Sequence, residues 1–563
     1  MPLLLRHSPR NRYSAIVPEA PPPPTGSSPV ANAATSHHAL TSAVRSTALM
    51  TLASRLFGLV RDVLIGRIFG DSALNSAFQF AFAIPNMFRR LFGEGALSAA
   101  FIPQYTQSHK FDPAQANQLA SLTMIVLAAV TAVITIVVEL VLFAILIFGD
   151  HSPDRRLLIE LVMTMLPFMP LICMVAILAG MLQVHGRFAA AASGPLVLNA
   201  FIIAIGLYSI STGWRADARI AFALGIATVL SAATQLWWFN RLLRSHVTWT
   251  RDCAPARQRA RAMFGKFVPV AIGLGTLQLN TFLDNTIATF PIWFDTEAKG
   301  IPFPLDEKSN AILALTSRLY QFPLGVFGIA VASAAFPLLA RHADEPGKFT
   351  ETLRRGLRLS LFIGLPASLG LILVRHDLTA VLFGSGENSF TERGLERSAA
   401  VLLGFAPGVW AYSLNHVFTR AFYAKGNTRT PMMISIAAML FNIALNLTLI
   451  WKLKEAGMAW ATSTAAILQC VVLATLARRH LCPTTIFDRE TTRAFGRIVL
   501  ASLFMALCVW GAQMWIPMPF HNPWVSQFAS LACATIVGMV VFVTLCRVFG
   551  IRELRWLLSR MPD

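Results

Sequence analysis

Residues 54–70 read SRLFGLVRDVLIGRIFG. The stretch is mostly apolar and has no proline, as expected of a helix sunk in a membrane. Yet it carries Arg55, Arg61, Asp62 and Arg67. An ionised side chain at bilayer depth costs on the order of 2.5–3.5 kcal/mol on insertion scales, so such groups face a cavity or a partner. The segment therefore predicts the wall of a polar cavity inside a helical membrane protein.

The rest of the chain agrees. Of its 563 residues, 55% are hydrophobic and 13% charged, with a mean hydropathy of +0.58. A soluble domain carries about 25% charged residues. Apolar runs of roughly 20 residues recur along nearly the whole length, where a β-barrel would show alternating segments of about ten. About 14 spans are expected, near 46–69, 75–103, 118–148, 157–183, 190–211, 218–240, 266–292, 310–340, 356–375, 398–422, 431–451, 457–477, 495–515 and 526–548. The third is long enough to tilt or project. The seven cysteines form no CxxC pair and mostly lie in apolar segments, as small core residues do.

The formal net charge of +19 reflects topology before nucleic acid. Basic loops follow spans six, eight, ten and twelve, for example RLLRSHVTWTRDCAPARQRARAMFGK and AKGNTRTP. Odd-numbered connections are acidic or mixed, such as FDTEAKGIPFPLDEKSN. Basic loops face the cytoplasm, which puts both termini inside and makes the number of spans even. Residues 1–44, rich in Pro, Ala and Ser without hydrophobic periodicity, read as a disordered cytoplasmic tail.

An internal repeat organises the spans. FGEGALSAAF at 92–101 returns as FGIAVASAAF at 327–336, and at the same offset Asn75 falls on Asn310. A second echo joins HGRFAAAASGPLVLN (185–199) to KGNTRTPMMISIAAMLFN (425–442). Span two thus corresponds to span eight, and span four to span ten. An even shift preserves orientation, so the halves are parallel repeats about an axis near the membrane normal, a transporter architecture. The expected divisions are a six-helix lobe at 45–245, a second at 262–480, and two extra helices with a short tail at 490–563.

The buried charges are unbalanced. Arg55 and Asp62 are seven residues apart, about 20° short of two full turns, so they share a helix face. Arg61 lies about 100° round from Asp62. A structural pairing accounts for Asp62, and snorkelling to an interface accounts for Arg67. In span two, Arg90 and Glu94 can pair at i, i+4, leaving Arg89 unmatched. In span eight Arg318 has no acid nearby in sequence. Arg55, Arg61, Arg89 and Arg318 therefore point to a cationic cavity for an anionic ligand. The planar guanidinium fork suits a diphosphate best, with simple anions and carboxylates as alternatives. A separate set, Asp284 in span seven, Asn442 and Asn446 in span eleven, and Thr462 with Ser463 in span twelve, fits either a Na⁺ or H⁺ site or ordinary interhelical hydrogen bonding. Walker A, HExxH, GxSxG and paired-Asp signatures are missing, so no catalytic residue, metal centre or resident cofactor is expected beyond that monovalent ion.

The sequences SRLFGLVRD, GRIFG, AFAIPNMFRRLFGEGALSAAFIP, RLYQFPLGVFGIAVASAAFP and FYAKGNTRTP closely resemble the MurJ/MviN family, bacterial lipid II flippases of the multidrug/oligosaccharidyl-lipid/polysaccharide exporter superfamily. The similarity runs from about residue 45 to 550. It implies an all-α polytopic fold of 14 helices, with two six-helix lobes around a central cavity and two C-terminal helices forming a hydrophobic groove. It also implies outward transport of the undecaprenyl-diphosphate-linked peptidoglycan precursor by alternating access in the bacterial inner membrane. Lipid II and membrane lipids would be the partners, with other cell-wall synthesis proteins and no nucleic acid. The family's cavity arginines fall on Arg55, Arg61, Arg89 and Arg318, its adjacent serine on Ser54 and its glutamate on Glu94. Residues that bind sodium in some members fall on Asp284, Asn442 and, as an Asn where those members have Asp, Asn446. Two family acids are Ser76 and Gln321 here, which implies a more purely cationic cavity. An exporter of another lipid-linked saccharide or of a drug is the alternative. An intramembrane enzyme on polyprenyl diphosphates is disfavoured by the missing Mg²⁺-binding acids, and a scaffold by the unpaired arginines.

Overall fold

A computed structural model describes residues 29–558 except 94–95, 214–216, 298, 387, 483–484 and 516–519. The described residues form helices and connecting turns without strands. The first lobe comprises α1 (Pro29–Phe69), α2 (Ala73–Phe88), α3 (Ala96–Phe111), α4 (Pro113–Phe148), α5 (Pro153–Met165), α6 (Phe168–Val184), α7 (Phe188–Ala192), α8 (Gly194–Ser211) and α9 (Ala218–Leu243). The second comprises α10 (Arg257–Ala288), α11 (Phe290–Phe294), α12 (Ser309–Pro323), α13 (Ile329–Arg341), α14 (Pro346–Phe383), α15 (Glu392–Phe405), α16 (Val409–Ala424), α17 (Arg429–Leu453) and α18 (Glu455–His480). Next come α19 (Arg489–Trp515), α20 (Pro523–Val548) and the short α21 (Arg552–Leu558).

Ten helical stretches among the described residues are long and apolar enough to cross a membrane. The other four expected segments, in α1, α2–α3, α10 and α15–α16, are helical as well but more polar or charged. The third expected span is indeed long: α4 has 36 residues, roughly 54 Å of helix. The seven cysteines are free.

Two boundaries differ from expectation. α1 begins at Pro29, so residues 29–44 of the expected tail are helical, while residues 1–28 lie outside the described residues. α10, expected to open the second lobe at 262, packs on α2, α3 and α4 as well as on α17. Phe264, Phe267 and Phe282 of α10 lean on the first lobe's core. α19 and α20 pack on α14 outside both lobes.

The repeat is written into the backbone. A π-helical turn at Arg89–Gly93 separates α2 from α3, and another at Leu324–Gly328 separates α12 from α13, 235 residues later. α6 and α16 both end in a glycine at φ +74°, Gly186 and Gly426. Only glycine takes that left-handed conformation without strain.

The lobes are pinned together at the end where the acidic loops lie. The Asn310 side-chain amide donates to the Ser76 carbonyl (2.9 Å), and the Ala311 N–H donates to Ser76 Oγ (3.0 Å). Asp71 accepts from the Thr391 N–H (2.7 Å) and hydroxyl (2.8 Å). Ser76 and Asn310 are fully buried, so these bonds exclude water. Arg397 braces the second-lobe side by binding Asp306 at 2.7 and 2.9 Å while reaching Glu455 at 2.5 and 3.0 Å. Burial works against the Asp306 charge, but Arg397 holds its carboxyl below the usual range. A buried hydrogen bond is worth about 1 kcal/mol net. Asn310→Ala and Ser76→Ala should therefore widen this end measurably. Spin labels on the loops 70–72 and 306–308 should report a longer or broader distance in each variant, and an unchanged distribution would mean that the bonds do not hold the lobes.

Candidate functional site

Arginines from both lobes converge on one carboxylate. Arg61 of α1 donates to Asp62 Oδ1 through Nε (2.9 Å) and Nη2 (2.7 Å), and through Nη1 to Asn199 Oδ1 (3.0 Å). Its guanidinium also lies 5.1 Å from the Phe82 ring centroid. Arg318 of α12 approaches the other oxygen of Asp62 at 3.6 Å. Arg61 and Arg89 both stand close enough to repel Arg318 electrostatically. Arg89 donates to Asn86 Oδ1 (3.2 and 3.1 Å). Arg55 takes no ion pair or hydrogen bond among the described residues. Its guanidinium crosses to the second lobe and packs against Gly325, where an added Cβ would sit 1.7 Å from Nη1. Gly325 lies in the π turn, so the absent side chain is what admits the cation.

Asp62 is thus the structural partner expected of it, but for Arg61 and Arg318 rather than for the same-face Arg55. Long side chains curl round a helix more easily than a wheel projection allows, and Arg318 is a non-local partner. Arg67 is not a free interface anchor: it donates to the Leu382 and Val381 carbonyls at 3.2 Å, capping the end of α14. The Ser54 carbonyl accepts from the Asn199 amide (3.1 Å), which ties Ser54 to the arginine set through its backbone. Glu94 lies outside the described residues. Ser76 belongs to the lobe contact and not to the cavity, so its replacing an acid does not make the cavity more cationic. Gln321 reaches Ser317 Oγ at 3.5 Å and also hydrogen-bonds with the neighbouring Tyr320 side chain.

The second polar set assembles as a chain. Asn446 Nδ2 donates to Asp284 Oδ1 (2.6 Å) and Asn442 Oδ1 (3.2 Å), and Asn442 Nδ2 donates to Thr462 Oγ1 (3.3 Å). Asn280 Nδ2 reaches Asp284 Oδ2 at 3.3 Å. The amide oxygens of Asn446 and Asn280 are buried without a hydrogen bond. Two orphaned oxygens beside a carboxylate are donors that a hard monovalent cation would satisfy. Ser463 is not in this set, since its hydroxyl donates to the Gly404 and Phe405 carbonyls (2.7 and 2.9 Å). Among the described residues no group of three or more His, Cys, Asp or Glu is arranged to hold a metal.

Asn199, Phe82 and Tyr320 were not anticipated. The signal for Asn199 was the second echo, whose two copies each lead through Pro into a span carrying an Asn, Asn199 in one and Asn442 in the other. The two lobes use the same pair of helices with opposite sign: α1 and α8 join Arg61 to Asn199, while α10 and α17 join Asp284 to Asn446 and Asn442. Tyr320, two residues from Arg318, stacks on Phe405 and Tyr412 with ring centroids 4.5 and 6.3 Å apart.

Comparison with known proteins identifies the fold and the family. The family model described as lipid II flippase MurJ matches residues 65–538. A probable lipid II flippase MurJ of Vibrio cholerae is 30% identical over 509 residues, covering 87% of this chain and 91% of that protein. Another, from Rickettsia prowazekii, is 29% identical over 429 residues, covering 74% and 80%. A solved lipid II flippase MurJ in an inward closed conformation shares the fold with a TM-score of 0.73, at 22% identity over 91% of this chain and 99% of that one. An inward-facing multidrug resistance transporter of the MATE family, in the MOP superfamily, follows with a TM-score of 0.64 at 14% identity, over 77% and 98%. This chain belongs to the lipid II flippase MurJ family.

Proposed function

We infer that this chain is a lipid II flippase, a transporter and not an enzyme. It carries the undecaprenyl-diphosphate-linked peptidoglycan precursor from the cytoplasmic to the outer leaflet of the bacterial inner membrane, with both its own termini in the cytoplasm. The observation that carries the reading is the convergence of Arg61 and Arg318, one from each lobe, on the single carboxylate of Asp62. Arg55, which takes no ion pair among the described residues and packs on Gly325 of the second lobe, adds to the positive charge left over for a ligand.

A diphosphate supplies what the site lacks. Its oxygens match the guanidinium forks, and its charge is spread over several acceptors. Asp62 then acts as an internal stand-in, keeping two like charges together until the cargo displaces it. Because the arginines come from opposite lobes, binding a diphosphate draws the lobes to one geometry, and release follows when they part. The sugar-peptide head stays within the cavity and the lipid tail in the bilayer. Opening the Ser76–Asn310 contact exposes the cavity to the other side, completing alternating access.

The Asp284 set would couple this cycle to an ion. A Na⁺ held by Asp284, Asn442, Asn446 and Thr462 would link α10, α17 and α18. The alternative occupant is a proton on Asp284.

Three measurements test the reading. In a conditional flippase-depleted bacterium the wild-type chain should restore growth, whereas Arg61→Ala and Arg318→Ala should not, although both are expressed and inserted. Rescue by those variants would remove the phosphate grip. Asp62→Asn should bind undecaprenyl diphosphate more tightly, because the internal competitor is gone, yet unfold more easily. Stranding a buried partner costs about 3–5 kcal/mol. Weaker binding would show that Asp62 is no stand-in. Transport by Asp284→Asn should lose its dependence on sodium or on the proton gradient, and wild-type transport indifferent to both would reduce the set to packing.

A further inference from the structure

The helix α16 carries polar groups that the arginine cluster and the Asp284 set leave unused. Tyr412, His416, Thr419, Arg420 and Tyr423 fall at i, i+4, i+7, i+8 and i+11, which is one face of the helix. Apart from Trp410 and Ala424 near its ends, this stripe is the only accessible part of α16, and every other residue is buried. The helix is enclosed by α13, α14 and α18. A charged side chain on such an inner helix faces protein or water rather than lipid.

Among the described residues Arg420 has no carboxylate partner. Its one described contact is the Phe336 ring, whose centroid is 5.4 Å from Cζ. A guanidinium stacked in this way keeps its in-plane N–H donors free. His416 and Tyr423 stand near enough to feel its charge.

The repeat shows that this is a departure from the common frame. Gly186 and Gly426 end the two equivalent helices in the same conformation, 240 residues apart. On that register Arg420 corresponds to Gly180, His416 to Ala176 and Tyr412 to Ile172, all three buried in the first lobe. Phe336 corresponds to Phe101, and an added Cβ on Gly180 would lie 3.7 Å from the Phe101 ring and 3.2 Å from Ile102. The first lobe thus closes this position with apolar packing. The second keeps a cation there.

The stripe starts beside the diphosphate cluster. The Tyr412 ring lies 6.3 Å from that of Tyr320, two residues from Arg318. Arg420 is eight residues further along α16, roughly 12 Å by helical rise, toward the basic loop AKGNTRTP. That is further than a diphosphate reaches. A head group anchored by its diphosphate on Arg61 and Arg318 and extended toward that loop would reach Arg420.

We propose that Arg420, flanked by His416 and Tyr423, is a second anion subsite of the cavity, and that it takes a carboxylate of the cargo's peptide. The proposal rests on the flippase reading given above. It would make the two lobes unequal, with the diphosphate held between them and the peptide held by the second alone.

Equilibrium binding to the full chain in lipid nanodiscs tests it with two probes, lipid II and undecaprenyl diphosphate. Arg420→Gln should bind lipid II roughly tenfold more weakly, the loss of about one charge-assisted contact. It should bind undecaprenyl diphosphate as the wild type does, while Arg318→Ala weakens both. Unchanged lipid II binding by Arg420→Gln, or equal loss of both probes, overturns the subsite and leaves the flippase reading standing. Failure of the wild type to bind either probe overturns the flippase reading itself. If Arg420→Gln does not insert, lipid II with its peptide carboxyl groups amidated asks the same question of the wild-type protein. It should bind roughly tenfold more weakly than lipid II, and equal affinity overturns the proposal.

Discussion

One carboxylate between two arginines holds the centre of this molecule. Asp62 meets Arg61 on its own helix and Arg318 on the opposite lobe. In a low-dielectric interior two guanidinium groups repel strongly, and neither can shed its proton. A single acid cannot neutralise both. The arrangement is therefore held together yet remains short of negative charge. A cavity built for permanent closure would carry a matched pair. The mismatch lets the cluster form while leaving one positive charge uncompensated within it.

Duplication supplied the frame, and charge divided the labour. The π turns, the terminal glycines and the helix order recur in both lobes. The side chains hung on that frame do not. Where α1 and α8 hold a cation against an asparagine, α10 and α17 hold an anion against two. The Gly180 position is filled by packing in one lobe and is occupied by Arg420 in the other. Corresponding helices of the two lobes thus present different chemistry.

Much of this was legible in the sequence, because membrane helices advertise themselves through length and polarity. The repeat, the arginine set and the chain Asp284–Asn446–Asn442–Thr462 all followed from spacing and from the cost of polar groups at bilayer depth. The partners were less legible. Arg55 and Asp62 share a face, yet Asp62 binds Arg61 beside it and Arg318 across the lobes, since side-chain reach and tertiary approach override the helical wheel. Arg67 found helix-end carbonyls 314 and 315 residues away. Ser76 was read through resemblance as a lost cavity acid, whereas its hydroxyl and carbonyl bind the second lobe. Local periodicity carries no information about contacts of that separation.

The paired π turns have a mechanical meaning. Each holds one residue more than an α-helical turn, with poorer hydrogen-bond geometry. Passing that extra residue along the helix turns everything beyond it by about 100° and advances it about 1.5 Å. The two turns occupy equivalent places in the lobes, and Arg55 rests on the second of them at Gly325. A ligand that drew Arg55 away would free that turn's backbone to change register. The glycine that makes room for the cation is thus also a point at which binding charge can be converted into rotation of a helix.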